Sequence, residues 1–75
     1  MDEELRQKIK GLPYEEALQE LDGWLSAHPA DDDALTMRGM RYWGAGKRSL
    51  AINDFLAAVK INPERRAAQA IKSTE

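Results

Sequence analysis

Apolar residues recur at every third or fourth position along most of this chain, and no stretch alternates apolar and polar residues as a strand would. The first dozen residues carry Leu5, Ile9 and Leu12 at helical spacing. A longer apolar stripe follows over residues 17–25, and glutamates occupy the opposite side of that segment. The pattern therefore predicts an all-α protein that begins with two helices.

Prolines, glycines and aspartates mark where the predicted helices begin and end. Gly11 and Pro13 separate the first helix from the second, and Pro29 ends the second because the residue before a proline avoids the helical conformation. The aspartates at 31–33 offer N-cap side chains to a third helix. Gly46 is expected to adopt the left-handed conformation past the end of that helix and to turn the chain.

The remaining apolar residues predict two more helices, which brings the expected total to about five. Residues 50–61 form a fourth apolar stripe, and Pro63 ends it. A fifth helix is predicted from residue 64 to about residue 73, where Ala67, Ala68 and Ile71 could face the core.

Equivalent residues recur 34 positions apart, which indicates an internal repeat. The equivalent pairs are Ala17 and Ala51, Leu21 and Phe55, Leu25 and Val59, and Pro29 and Pro63.

The second of these units resembles the tetratricopeptide repeat, whose period is also 34 residues. The matching residues are Leu35, Gly39, Tyr42, Gly46, Ala51, Phe55, Ala58 and Pro63. In this unit the small Gly39 and Ala51 are expected where two helices cross closely, with Tyr42 and Phe55 beside them. Arg38 departs from the family's usual leucine, so we expect its stem to pack and its head to reach solvent.

The resemblance implies antiparallel helix hairpins stacked as a short right-handed solenoid, in one domain over residues 1–75. Repeat 1 would cover about 1–31, repeat 2 about 32–63, and a capping helix about 64–73. The first unit matches less well, because its first helix is short and Trp24 stands where the family prefers alanine. A buried Trp24 would help this small domain to form a core.

Proteins of this family bind peptides or partner helices in a concave groove lined by the first helix of each repeat. Carried onto this sequence, the resemblance implies a groove formed by Arg6, Ile9, Lys10, Asp33, Thr36, Met37, Met40 and Trp43. The family's groove for C-terminal carboxylates uses lysine, asparagine and arginine, which these positions of the second unit lack. Its methionines and Trp43 instead predict an apolar groove, unless the same side chains belong to the core.

Two other functions remain open beside binding of an unidentified protein or peptide. The apolar strip or an open end could pair with its own copy in a homodimer, or the chain could be a piece of a longer array of such repeats. Contact with nucleic acid through Arg38, Arg41, Lys47 and Arg48 is disfavoured, because the net charge is −2 and the isoelectric point is near 5.4.

Candidate catalytic chemistry is sparse, so we expect no enzyme, no cofactor and no small-molecule substrate. The stretch GAGKRS at 44–49 suggests a phosphate loop, but Arg41 and Arg48 stand where that loop needs a glycine and a hydroxyl. His28 has no evident catalytic partner, and the aspartates at 31–33 lack the spacing of a calcium loop. The chain has no cysteine, no apolar run long enough for a membrane span and a charged N-terminus, which together favour the cytoplasm.

Overall fold

The computed structural model describes residues 1–64, and these residues form four α-helices without a strand. The helices are α1 (Glu3–Lys10), α2 (Tyr14–Ala27), α3 (Asp32–Gly44) and α4 (Arg48–Ile61). The all-α prediction is confirmed for this part of the chain. The predicted fifth helix falls, from residue 65 onward, outside the described residues.

Aspartates begin two of the helices by accepting hydrogen bonds from backbone N–H groups that have no partner within the helix. The carboxylate of Asp2 accepts from the N–H of Leu5 at 2.8 Å, at the start of α1. At the start of α3 the carboxylate of Asp31 accepts from the N–H groups of Asp33 and Ala34, at 3.1 and 3.2 Å. The predicted capping role of the aspartate run is therefore confirmed for Asp31.

The turn between α3 and α4 depends on Gly46, whose φ is +79°. Two hydrogen bonds reach back to the last turn of α3, from the N–H of Lys47 to the carbonyl of Tyr42 and from the N–H of Gly46 to the carbonyl of Trp43. This pair of bonds is the Schellman motif, which needs a left-handed residue just past the helix. The predicted role of Gly46 is confirmed.

The ends of the helices recur at the spacing seen in the sequence. Helices α2 and α4 each contain 14 residues, and α4 begins and ends 34 positions after α2. Helix α3 also ends 34 positions after α1, although α1 has 8 residues and α3 has 13. Within residues 1–64 the chain thus contains two helix–turn–helix units, the first with a shorter opening helix.

The core lies between the two units, with α3 packed along α4 and against α2, and α1 packed against α2. Ile9 of α1 and Leu21 of α2 are the largest fully buried side chains. The other core side chains are Ala17, Leu25, Ala34, Leu35, Met37 and Ala58, with Trp24 among the partly buried residues packed against them.

Gly39 allows α3 and α4 to approach each other closely. A Cβ atom at this position would lie 2.6 Å from a ring carbon of Phe55, well inside van der Waals contact. Ala51, the small residue on α4, is completely buried. The predicted close crossing of these two helices is therefore confirmed.

The side chain of Arg38 is 23% exposed, but its guanidinium is bound by carboxylates rather than free in solvent. Its Nε and Nη2 atoms each donate to the carboxylate of Asp54 at 2.8 Å, and Nη1 donates to Asp22 at 2.9 Å. Asp54 is only 6% exposed on the core-facing side of α4, and a buried carboxylate needs a counter-charge. The hydrogen bonds from Arg38 to Asp54 raise the pKa of Arg38 despite its partial burial. The three residues join α2, α3 and α4.

Candidate functional site

Exposed apolar side chains are concentrated on the second helix–turn–helix unit. Those of Met40, Trp43, Leu50, Ile52, Leu56 and Ile61 are each more than 40% exposed. No large apolar side chain of α1 or α2 reaches this exposure in the described residues. A candidate surface for a partner is therefore to be sought on α3 and α4.

The eight predicted groove residues divide between the surface and the interior. Met40 and Trp43 are 61% and 51% exposed. Ile9 and Met37 belong to the buried core. Thr36 is also buried, and its hydroxyl donates to the carbonyl of Asp32 at 2.8 Å. Met40 and Trp43 are thus the apolar members of the predicted groove that a partner could contact.

The charged members of the predicted groove join α1 to α3. Nε of Arg6 lies 3.3 Å from the carboxylate of Asp33, and Nη1 of Arg6 lies 3.2 Å from Glu3. The side chain of Lys10 is exposed at the C-terminal end of α1. Arg6 and Asp33 therefore stabilise the contact between the two helices, whereas Lys10 is accessible.

Met40 lines an open, mainly apolar cleft of about 340 Å³ near the turns of the two hairpins. The other lining residues are Tyr14, Arg41, Gly44 and Ala45. Nη2 of Arg41 donates to the carbonyls of Ile9 and Lys10, each at 3.0 Å. These carbonyls belong to the last turn of α1, where that of Ile9 also accepts from the N–H of Leu12 at 3.1 Å, so Arg41 caps the end of α1 and fixes one wall of the cleft.

The phenol of Tyr14 leaves one polar atom of the cleft wall unsatisfied. Its oxygen is buried and forms no hydrogen bond with any part of the described chain. A buried hydroxyl without a partner costs free energy, and such costs are often found at functional sites.

Trp43 lies beside the cleft residues on α3, and the face of its ring contacts a positively charged side chain. The guanidinium carbon of Arg48 is 5.5 Å from the centre of the Trp43 ring, within the range of a cation–π contact. This contact restricts both side chains, which lowers the entropy that a partner would have to remove on binding.

The four basic residues considered for nucleic-acid contact do not form one free basic patch. Arg38 is bonded to two carboxylates, and Arg41 is bonded to the carbonyls of α1. Lys47 and Arg48 are exposed at the start of α4. The surface thus presents two accessible cations where the sequence offered four.

Asp31 collects three hydrogen-bond donors besides the N–H group of Asp33. Its Oδ2 accepts from the indole N–H of Trp24 at 2.7 Å and from the amino group of Met1 at 3.1 Å. Burial raises the pKa of Asp31, but these bonds and the one from the N–H of Ala34 outweigh burial and hold the pKa below its ordinary value. The cluster joins the amino terminus and α2 to the start of α3.

Side chains that could hold a metal ion do not converge within residues 1–64. No group of three or more His, Cys, Asp or Glu side chains in this range could hold a metal ion. The ring of His28 stacks on Trp24 with a centroid separation of 4.1 Å. Among the described helices, none is long and apolar enough to cross a bilayer.

Tyr14 and Asp54 are the structurally important residues that the sequence pattern did not reveal. From the sequence, Tyr14 is expected only to begin a helix with a polar residue. In the structure α1 and α3 both end near its side chain. Asp54 occupies the apolar side of α4, four residues before Ala58 and three after Ala51. An acid at such a position in an otherwise apolar stripe is a signal that could have indicated a buried ion pair.

Comparisons with known proteins assign neither a family nor a function to this chain. No protein-family model matches the chain, and neither the curated proteins nor the solved structures contain a significant match to it.

Proposed function

We propose that this protein is a non-enzymatic interaction module that binds a peptide or a partner helix on the face formed by α1 and α3. The observation that carries this proposal is the cleft beside Met40, next to the half-exposed Trp43. Both side chains are large and apolar, and both lie on a rigid helix whose ends are capped. Aromatic residues on rigid elements are typical anchors of protein interfaces.

The architecture that we propose for this face is that of stacked tetratricopeptide-like hairpins. It is supported by the resemblance of residues 32–63 to that family and by the recurrence of the helix ends at 34 positions. In such a stack the first helices of successive hairpins line the concave side. The pairing of Arg6 with Asp33 is consistent with α1 and α3 lying side by side there.

A test of this function begins with selection of peptide ligands from a displayed library on the full chain. The dissociation constant of a selected peptide is then measured for the wild type, Trp43→Ala and Met40→Ala. We expect each substitution to weaken binding about tenfold or more, because exposed anchors contribute at least 1.4 kcal/mol when they bind. Leu50→Ala, at 45% exposure on α4, is the matched control and should bind normally.

Two outcomes would contradict the proposal. One is a library that yields no saturable ligand. The other is a Trp43→Ala protein that loses thermal stability while its remaining folded fraction binds the peptide with unchanged affinity, since Trp43 would then serve the fold alone.

Self-association is the second candidate function, and the exposure of Leu50 and Ile61, which share one flank of α4, favours it. A symmetric dimer could bury these side chains against their copies. Light scattering of the protein alone over a wide concentration range distinguishes the two functions. A mass that falls from dimer to monomer on dilution supports self-association, and a constant monomer mass leaves the surface free for another protein.

A further inference from the structure

Four exposed residues form a row along α4, which we call the α4 row: Arg48, Ile52, Leu56 and Lys60. We propose that the α4 row is a second docking surface, which adjoins the first face only where Arg48 contacts Trp43, and that it accepts an acidic amphipathic helix from another protein. The partner helix would have an apolar middle and a carboxylate near each end.

The spacing of the α4 row places its four side chains on one side of the helix. Residues four apart follow one another along a helical ridge, and 12 positions correspond to about 18 Å. The middle of the row is apolar, with Ile52 at 46% and Leu56 at 60% exposure. The row thus has the length and the shape to contact three turns of a partner helix.

Cations stand at both ends of the α4 row. Arg48 rests over the ring of Trp43, which holds its guanidinium in place. Neither Arg48 nor Lys60 forms an ion pair with another side chain in residues 1–64. The one carboxylate of α4 belongs to Asp54, which is buried and bonded to Arg38. The exposed surface of α4 therefore offers positive charge without a competing acid.

This distribution of charge indicates which occupant fits. A second copy docked through the same row would bring cation against cation, whether the two α4 helices ran parallel or antiparallel. The outer face of α2 in a second copy has exposed carboxylates but no large exposed apolar side chain in the described structure. The sequence of residues 65–75 contains three basic residues and one acid, so it does not complement the row either. A partner with carboxylates at both ends of an apolar stripe satisfies all four side chains.

The experiment uses two synthetic alanine-based helical peptides and the full chain labelled for amide NMR. The first peptide carries Glu at positions 1 and 13 and Leu at positions 5 and 9, which copies the spacing of the α4 row. The second carries Lys instead of both glutamates. We expect the acidic peptide to shift the amide signals of α4 and to bind about tenfold more tightly than the basic one, with a difference that shrinks at high salt.

Substitutions then locate the binding site. Leu56→Ser should weaken binding of the acidic peptide about tenfold, whereas Leu50→Ser, on the other flank of α4, should leave the affinity unchanged. Lys60→Glu should weaken the acidic peptide and strengthen the basic one. Circular dichroism checks that each variant keeps its helical content, and the peptide pair on the wild type tests the proposal even where a variant fails to fold.

Several results would overturn the proposal. Equal affinity for the acidic and the basic peptide would show that Arg48 and Lys60 do not select the partner by its charge. Shifts confined to Tyr14, Met40 and Trp43 would place the peptide in the cleft instead. A dimer that dissociates in the Leu56→Ser protein would identify a second copy as the occupant, and tighter binding of a DNA oligonucleotide than of the acidic peptide would identify a nucleic-acid surface.

Discussion

At Gly39 the backbone of α3 comes so close to α4 that the ring of Phe55 occupies the space of a side chain. The distance of 2.6 Å between a hypothetical Cβ and the ring is shorter than real Cβ contacts. Gly23, in the middle of α2, has no atom within 4 Å of the same position. Gly23 and Gly39 both lie inside helices and differ in what an added Cβ atom would meet, which makes them a matched pair.

We predict that Gly39→Ala lowers the free energy of unfolding and that Gly23→Ala raises it. Alanine favours a helix over glycine by about 0.5–1 kcal/mol, and this gain should appear in full at Gly23. At Gly39 the displacement of the Phe55 ring costs about 1–3 kcal/mol, which exceeds the gain. Urea unfolding of both variants measures the difference.

A smaller side chain at position 55 would remove the overlap with a Cβ atom at position 39, and this provides the control. If Phe55→Leu loses less stability in the Gly39→Ala protein than in the wild type, the overlap with the ring is the cause. Equal stability of the two alanine variants would show that the ring moves aside without cost.

At the scale of the helices, the sequence correctly predicted the features that depend on neighbouring residues alone. The cap by Asp31 and the turn at Gly46 follow from the preferences of single residues within a few positions, and both were predicted. The bond between Arg38 and Asp54 joins two helices, so the position of Asp54 on an apolar stripe hints at a buried pair but does not identify its partner. Exposure has the same limit, because Met37 and Met40 lie on the same helix and only the position of α1 and α2 decides which of them is buried.

The N-cap of α3 is the carboxylate of Asp31, and we predict that its protonation in acid destabilises the protein. The pKa of Asp31 is lower in the folded state than its ordinary value of 3.8, so the unfolded chain binds the proton more readily. The resulting stabilisation is complete above about pH 5 and is lost as the pH falls through the lowered pKa. Asparagine also caps helices but does not titrate.

The measurement compares the melting temperatures of the wild type and Asp31→Asn at pH 6 and at pH 3. We expect the wild type to be the more stable at pH 6 and its advantage to shrink at pH 3. Other carboxylates titrate equally in both proteins and cancel in the difference. An advantage that is the same at both pH values would show that the charge of Asp31 does not contribute.

At the scale of the whole molecule, the ion pair of Arg38 and Asp54 joins α3 to α4, and we predict that the stability contributed by each residue depends on the presence of the other. Asp54→Ala should cost about 2–4 kcal/mol, because it leaves the charge of a side chain that is only 23% exposed without its main partner. Replacing both residues, by Arg38→Met and Asp54→Leu, should restore most of that stability.

Denaturant unfolding of the single and double variants gives the coupling energy of the pair. Asp22→Ala is the matched control, since Asp22 bonds the same guanidinium from an exposed position and should contribute no more than about 1 kcal/mol. A double variant that is no more stable than Asp54→Ala would mean that the surrounding core cannot accommodate apolar side chains there.

The two tryptophans stand in such different surroundings that they can serve as separate optical reporters. Trp24 is partly buried, stacks on His28 and donates to a carboxylate, whereas Trp43 is half-exposed beneath Arg48. Emission of Trp24 should therefore lie at shorter wavelength than that of Trp43. With one indole replaced by phenylalanine at a time, fluorescence would follow each hairpin by itself, and non-coincident transitions would reveal that one hairpin melts before the other.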